Sequence, residues 1–318
     1  MTRPTIRLAL RDWDYLTPIL LGDVKSPDFD VVIDRAFGNL IDNHATSTIH
    51  QGGEMSFSRY IQARDRGVDD VVAVPHFLMR AFRHRCIITA KSSPLSTIAG
   101  LAGKTIGMTG WQDSGNTWTR AILRREGIGV DGAQWRLGRL QPADPDFDRL
   151  GQWGRPGRIE QTPKPLYEML LAGELDAVFT PFMPPGFYDA DSKLRFLLPD
   201  FRAAEVAYFH AAGFVPGIHL LALQRPVVAA HPRLPQALSE LFDESTRIWL
   251  GKREKYADTT PWMIDELARC GQDLPIGWDR NGFAVNQPMI NAFAEEQIAQ
   301  GLTARRWSAA ELFPGMGV

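Results

Sequence analysis

Leu101-Ala102-Gly103-Lys104-Thr105-Ile106-Gly107-Met108-Thr109-Gly110-Trp111-Gln112-Asp113-Ser114-Gly115-Asn116-Thr117-Trp118 reads as a short strand, Lys104–Met108, that turns through small polar residues and opens a helix over Gly115–Glu126. A strand feeding directly into a helix is half of a parallel βαβ unit. The same alternation extends outward in both directions through most of the first 225 residues. Strands are expected at Ile6–Leu10, Phe29–Ile33, Asp70–Val74, His84–Ala90, Gln134–Leu137, Ala177–Thr180, Arg195–Leu198 and Ile218–Leu223. Apolar residues at three- and four-residue spacing predict helices at Glu54–Arg66, Leu166–Ala172 and Asp200–Ala212. From Leu234 the helical runs Leu234–Leu250, Met263–Cys270 and Gln287–Gln300 predominate, punctuated by Pro261, Pro275 and Pro288. The fold class is α/β, with largely parallel sheets and a helical C-terminal region.

A chain of 318 residues exceeds what one hydrophobic core comfortably holds, so two lobes are expected. Lys91-Ser92-Ser93-Pro94-Leu95 is a natural crossing point, and a return falls near Gly213–Gly217. This gives a discontinuous first lobe, residues 1–90 with 218–318, and an inserted second lobe, 91–217. A ligand cleft is expected between them. Gln141–Pro163, rich in proline and glycine, reads as a long loop of the kind that is usually functional or mobile.

The hydrophobic fraction of 44% and charged fraction of 23% are those of an ordinary globular chain. With 35 basic and 37 acidic residues and no long run of one sign, nucleic acid is not expected as a partner. No stretch approaches a membrane span, so no membrane association is expected. The N-terminal alternation Ile6-Arg7-Leu8-Ala9-Leu10 is unlike a signal peptide, so a cytoplasmic location is expected. The two cysteines, Cys86 and Cys270, require no disulfide, and Cys86 reads as a small buried hydrophobe. Composition leaves a homo-oligomer open. HExxH, CxxC, GxSxG and phosphate-loop patterns are absent, no GxGxxG follows a strand, and no metal or cofactor is expected.

Three segments carry candidate chemistry. The turn into the helix at Gly115 presents free N–H groups that can hold a carboxylate, assisted by Ser114, Asn116 or Thr117; equally, Asp113 or Ser114 is simply an N-cap. In Met79-Arg80-Ala81-Phe82-Arg83-His84-Arg85 the guanidinium forks match carboxylates and His84 can move a proton, whereas a solvated basic turn is the plainer reading. His219, in Ile218-His219-Leu220-Leu221, is either a core histidine or an acid–base group. Glu54, Asp12 and Asp14 are the carboxylates best placed to face a cleft; Glu54 is read as starting a helix, where the helix dipole alone would favour it. His44, His50, His76 and His210 carry less weight, and His231 reads as a helix-start residue.

Leu101–Gly107 and Leu170-Leu171-Ala172-Gly173-Glu174-Leu175-Asp176-Ala177 resemble segments of type II solute-binding proteins, which implies a two-lobed type II periplasmic-binding-protein-like fold. More discriminating are Glu54-Met55-Ser56-Phe57-Ser58-Arg59-Tyr60, Arg80-Ala81-Phe82-Arg83-His84, Trp135-Arg136-Leu137-Gly138-Arg139-Leu140, Pro216–His219, Asn281 and Glu311-Leu312-Phe313. Together these resemble the 4,5-dihydroxyphthalate decarboxylase family over nearly the whole chain. The resemblance implies non-oxidative decarboxylation of a hydroxylated aromatic acid, with a small aromatic carboxylate as ligand. On that reading Arg83 and the Ser114–Thr117 turn clamp the retained carboxylate, and Gln112 and Arg80 orient the ring oxygens or a second carboxylate. His84 or His219 donates the proton while the other acts on the phenol. His76 and Gly110-Trp111 fall where the ring pocket is expected and depart from the family's pattern, so the reaction class is better supported than the substrate. A non-catalytic solute-binding protein with the same clamp is the alternative.

Overall fold

The computed structural model describes residues 3–36 and 46–316. The strands are β1 (Thr5–Arg11), β2 (Asp30–Ala36), β3 (Gly52–Ser56), β4 (Val71–Arg80), β5 (Ile87–Ala90), β6 (Thr105–Met108), β7 (Gln134–Leu137), β8 (Ile159–Gln161), β9 (Ala177–Phe179), β10 (Leu194–Phe196) and β11 (Gly217–Gln224). The helices are α1 (Thr17–Leu20), α2 (Phe57–Asp65), α3 (Ser114–Arg125), α4 (Leu166–Leu171), α5 (Phe201–Ala212), α6 (Arg225–Ala230), α7 (Leu234–Lys255), α8 (Met263–Asp273), α9 (Phe283–Ala299) and α10 (Ala309–Leu312). The chain divides into two units, Met1–Arg80 with Gly217–Asn291 and Trp307–Val318, and Ala81–Pro216 with Ala292–Arg306.

Unit 1 is built on a sheet of order β2-β1-β3-β11-β4. β1 is parallel to β2 and β3, and β11 is antiparallel to β3 and β4, so β1, β3 and β4 end at the edge where β11 begins. One face carries Ile6, Leu8, Leu10, Val74, Leu221 and Leu223 against Leu234, Leu238, Leu241 and Phe242 of α7. The three- and four-residue spacing of those α7 positions makes the stripe that the sheet requires. β11 is buried from Gly217 to Leu223, which is why it reads as a continuous apolar run. At Gly52 an added Cβ would lie 2.3 Å from the Ala222 carbonyl oxygen, so β3 approaches β11 this closely only as glycine. Pro75 is tolerated within β4 because that strand is at the sheet edge.

Unit 2 has a sheet of order β10-β5-β9-β6-β7-β8, in which β9, β6, β7 and β8 are parallel and β5 is antiparallel to β9 and β10. Period-two alternation splits the core: Ile87, Ala177 and Phe179 face Ile106, Trp111 and Trp135, while Ile88 and Val178 face Leu166, Leu170 and Phe187. Trp111 and Phe179 each meet Trp135 edge to face, at 5.7 and 5.9 Å between centroids. α3 starts after Asp113 in extended conformation, carries Arg124 and Arg125 in its last turn where the dipole favours cations, and stops before Gly127 at φ 78°.

Several boundaries differ from the sequence expectation. The first unit ends at Arg80 rather than residue 90, because Ile87–Ala90 pairs with β9 and β10. Residues 292–306 join unit 2 rather than unit 1: Phe293 packs on Trp118 at 4.8 Å, and Gln300 accepts from Arg120 Nε at 2.7 Å. Glu54 does not start a helix. It sits in β3, and α2 begins only after Ser56, whose hydroxyl accepts from the Arg59 N–H. α9 begins at Phe283 rather than Gln287, so Pro288 lies inside it instead of at its start.

Candidate functional site

In unit 1, the register of β3 against β11 places Leu221 opposite Glu54 and His219 opposite Ser56. His219 is therefore the diagonal neighbour of Glu54 on the same sheet face. His219 Nδ1 lies 2.6 Å from Glu54 Oε1. Glu54 is fully buried, and its Oε2 accepts from the Arg11 N–H at 3.0 Å and Trp13 Nε1–H at 2.8 Å. A carboxylate held by three donors fixes the imidazole with its hydrogen on Nδ1, leaving Nε2 as the exchangeable nitrogen. The His219 side chain retains a tenth of its exposure, at the edge where β1, β3 and β4 end. That carboxyl edge of a sheet is where α/β folds bind ligands. Tyr15 stacks on Trp13 and donates to the Leu78 carbonyl at 2.6 Å; burial and the Glu54 charge push its phenol well above the usual range.

Arg80 and His76, expected at the substrate, are instead engaged with α7, the start of α9 and the segment before it. Arg80 Nη2 donates to the Arg280 carbonyl, Asn281 Oδ1 and Asn286 Oδ1, and its guanidinium lies over Phe77. Burial lowers its pKa to about 10, so it remains a cation. His76 is buried against Phe242, with Nε2 3.4 Å from Asn281 Nδ2 and Nδ1 3.9 Å from Asp243. Desolvation, then the Arg80 charge, lowers its pKa to about 3, and it is neutral. Asp12 and Asp14 pair with Arg35 and Arg253. His50 pairs with Asp34, and His44 lies outside the described residues.

In unit 2, Arg83 is 2% exposed and forms no ion pair among the described residues. Its Nε is 3.4 Å from Thr119 Oγ1, and its guanidinium packs on the first turn of α3, where a Cβ at Gly115 would meet Nη2 at 2.7 Å. An arginine without a paired carboxylate beside a helix N-terminus has the chemistry of an anion receptor. Burial lowers its pKa, while the charges of Glu205 and Asp113 support the cation. Ser114 is buried in the same turn, and Gln112 is half-buried just before it.

Other expected residues have structural tasks. Asn116 Nδ2 donates to the Gly110 carbonyl at 2.8 Å and Thr117 Oγ1 to the Asp113 carbonyl at 3.0 Å, so both side chains build the turn. Trp111 is a core residue, 1% exposed, with the Arg120 guanidinium 4.1 Å from its ring centroid. His84 packs edge-on against Tyr208; burial, then the Arg125 charge, lowers its pKa to about 4. It is neutral near pH 7 and a poor proton donor, contrary to the expectation from its sequence context. The sequence reading missed Trp13, which completes the Glu54 cage, and Arg149, whose Nη1 donates to the Thr109 carbonyl at 3.0 Å beside the same turn. Only the position of Trp13, just beyond the first strand, pointed to it. Among the described residues no group of three or more His, Cys, Asp or Glu is arranged to hold a metal ion. No helix among them is long and apolar enough to cross a membrane.

No family model matches the chain. It is 28% identical over 322 aligned residues to 4,5-dihydroxyphthalate decarboxylase of Comamonas testosteroni, covering 98% of this chain and 97% of that one. The 4,5-dihydroxyphthalate decarboxylase of Pseudomonas putida is 27% identical over 226 residues, covering 67% and 84%. Among solved structures, the aliphatic sulphonate binding protein SsuA of Escherichia coli superposes with a TM-score of 0.58 at 15% identity, covering 98% of this chain and 92% of that one. The putative sulfonate-binding SsuA of Methylobacillus flagellatus gives 0.62 at 13%, covering 98% and 91%, and the desulfurization enzyme DszB gives 0.54 at 12%, covering 98% and 96%. At these identities the structural likeness shows the fold alone. The chain is a distant homologue of the 4,5-dihydroxyphthalate decarboxylases, built on the α/β fold of the type II periplasmic binding proteins.

Proposed function

We propose that this protein is a carboxy-lyase that removes carbon dioxide from a hydroxylated aromatic acid, with 4,5-dihydroxyphthalate as substrate and protocatechuate as product, acting in the cytoplasm. The single observation that carries the reading is the caged Glu54–His219 pair: a solute receptor has no use for an imidazole whose tautomer is fixed by a buried carboxylate, whereas a proton donor requires one. Full-length similarity to a decarboxylase supports the same class.

In 4,5-dihydroxyphthalate each carboxylate is para to a phenolic oxygen. Electron density from that oxygen accumulates on the carbon bearing the leaving group. The His219 imidazolium, its Nδ1–H held by Glu54, delivers the Nε2 proton to that carbon and becomes neutral; the bond to the carboxylate breaks, its electron pair returns to the ring, and carbon dioxide departs. Glu54 stabilises the imidazolium that forms while His219 regains a proton from solvent. Arg83, with the backbone N–H groups opening α3, supplies carboxylate-binding chemistry within unit 2.

The test is carbon dioxide release from 4,5-dihydroxyphthalate by wild type and by His219→Asn and Arg83→Ala. Losing positioned acid catalysis lowers kcat by ~10²–10⁴-fold in His219→Asn, while Arg83→Ala raises KM. Tight binding by wild type without any release from phenolic acids would assign the chain to the solute-binding reading instead.

A further inference from the structure

We propose that Arg139 and Arg149 form a second anion receptor at the carboxyl edge of the unit 2 sheet, which takes one of two carboxylates on the aromatic ligand and so selects dicarboxylates over monocarboxylates. Such a receptor rests on the aromatic-acid reading above and narrows it to a dicarboxylate. β6 and β7 are parallel neighbours that end at Met108 and Leu137. Arg139 stands two residues beyond β7. Arg149 reaches the residue after β6, donating from Nη1 to the Thr109 carbonyl at 3.0 Å and from Nη2 to the Pro145 carbonyl at 2.7 Å. It is 7% exposed, with its guanidinium 3.9 Å from the Phe147 ring centroid, and Arg139 is half-buried. Among the described residues both Nε atoms are buried without a hydrogen-bond partner, and neither guanidinium pairs with a carboxylate.

Buried polar groups are almost always paired, so two orphaned guanidinium N–H groups beside one sheet edge call for a partner. Bracing accounts for part of Arg149, whose two carbonyl bonds tie the loop around Pro145 to the turn after β6. It does not account for Arg139, which makes no such bond, nor for a second cation near the first. Burial lowers the Arg149 pKa, Asp113, Asp144 and Asp146 oppose the fall, and the Arg139 charge adds to it. Asp144 is committed to the N–H groups of Leu140 and Gln141, and Asp146 is exposed. A free Nε with its neighbouring Nη presents two parallel donors, the fork that matches the two oxygens of a carboxylate. The Asp113 charge acts on Arg83 as well as on Arg149, so both receptors lie around the turn that opens α3. Adjacent strands are about 4.8 Å apart, a spacing that a benzene ring carrying two acid groups spans. Decarboxylation then leaves the product on one receptor, so product is held more weakly than substrate.

Calorimetric titration with 4,5-dihydroxyphthalate and protocatechuate, which differ by one carboxylate, reads the receptor directly, in a His219→Asn background that prevents turnover. The dicarboxylate should bind roughly tenfold to a hundredfold more tightly, the span of one charged hydrogen-bonded contact. Arg139→Ala should erase most of that ratio by weakening the dicarboxylate, while the protocatechuate Kd stays within about twofold and shows that the variant is folded. Arg139→Lys keeps the charge without the fork and should restore part of the ratio. Equal affinity for the two ligands, binding of neither, or an unchanged ratio in Arg139→Ala overturns the proposal. Carbon dioxide release by a protein whose ratio ignores Arg139 overturns this receptor alone. An Arg139-dependent ratio with no release by wild type supports the receptor and overturns the carboxy-lyase reading alone.

Discussion

Glu54 meets three hydrogen-bond donors, and two of them, the Arg11 N–H and the Trp13 indole, hold the carboxylate in place beside His219. Glu54→Gln keeps the shape but replaces an acceptor-only group with one that also presents N–H, so either the Arg11 or the imidazole contact is lost. The expected outcome is a fall in kcat of ~10²-fold or more with KM changed little, because the imidazole loses its orientation and the imidazolium its counter-charge. Equal kcat in wild type and variant would remove Glu54 from the mechanism. His219 was visible in the sequence as a candidate, but its partner lies 165 residues away and is found only through sheet register. Sequence context also misplaced the weight given to His84: proximity to three arginines suggested a titrating base, while what decides its charge is burial against Tyr208. Arg83 and Arg80 look alike in sequence. Their difference, one packed on the start of α3 and the other tied to Asn281 and Asn286, depends on partners that local spacing does not reveal.

At the scale of elements, the strand–turn–helix around Thr105–Arg125 was legible because one residue type after another agrees with it: alternation, small polar turn, amphipathic helix, glycine stop. β3 was not. Gly52-Gly53-Glu54-Met55-Ser56 has poor strand propensity and runs into a helix, so its apolar spacing merged with that of α2. What makes it a strand is its place between β1 and β11. This gives Gly52 a measurable role. In Gly52→Ala the new methyl is driven onto the Ala222 carbonyl, a backbone atom that cannot swing aside. The expected loss is at least about 3 kcal/mol, the upper part of the range for overpacking, read from the urea midpoint. Gly129→Ala, where nothing lies within 4 Å, should fall within about 0.5 kcal/mol of wild type. Equal stability of the two variants would show that β3 relaxes freely and that the Glu54–His219 register is not fixed by close approach.

For the molecule as a whole, the buried neutral histidines set how stability responds to acid. Burial pushes His76 and His84 down to about 3 and about 4 in the folded chain, from an ordinary value of 6.5. Above that ordinary value both are neutral folded or unfolded. Below it the unfolded chain takes up two protons that the folded chain refuses, so stability falls as pH falls from 6.5 toward 4. Each histidine contributes a loss of up to about 1.4 kcal/mol per pH unit within that window. Glu205 and Asp243 act with the opposite sign, because burial raises both carboxyls and the folded chain holds their protons more tightly than the unfolded one. The two carboxyls therefore oppose part of the histidine term rather than add to acid lability. Urea midpoints near neutrality and at about one and a half pH units below the ordinary histidine value should separate the terms. Wild type should lose stability across that interval, and a His76→Gln, His84→Gln double variant, which has no imidazole to protonate at either position, should lose much less. An identical loss in both proteins would place the acid lability elsewhere and show that the two imidazoles gain their protons without unfolding.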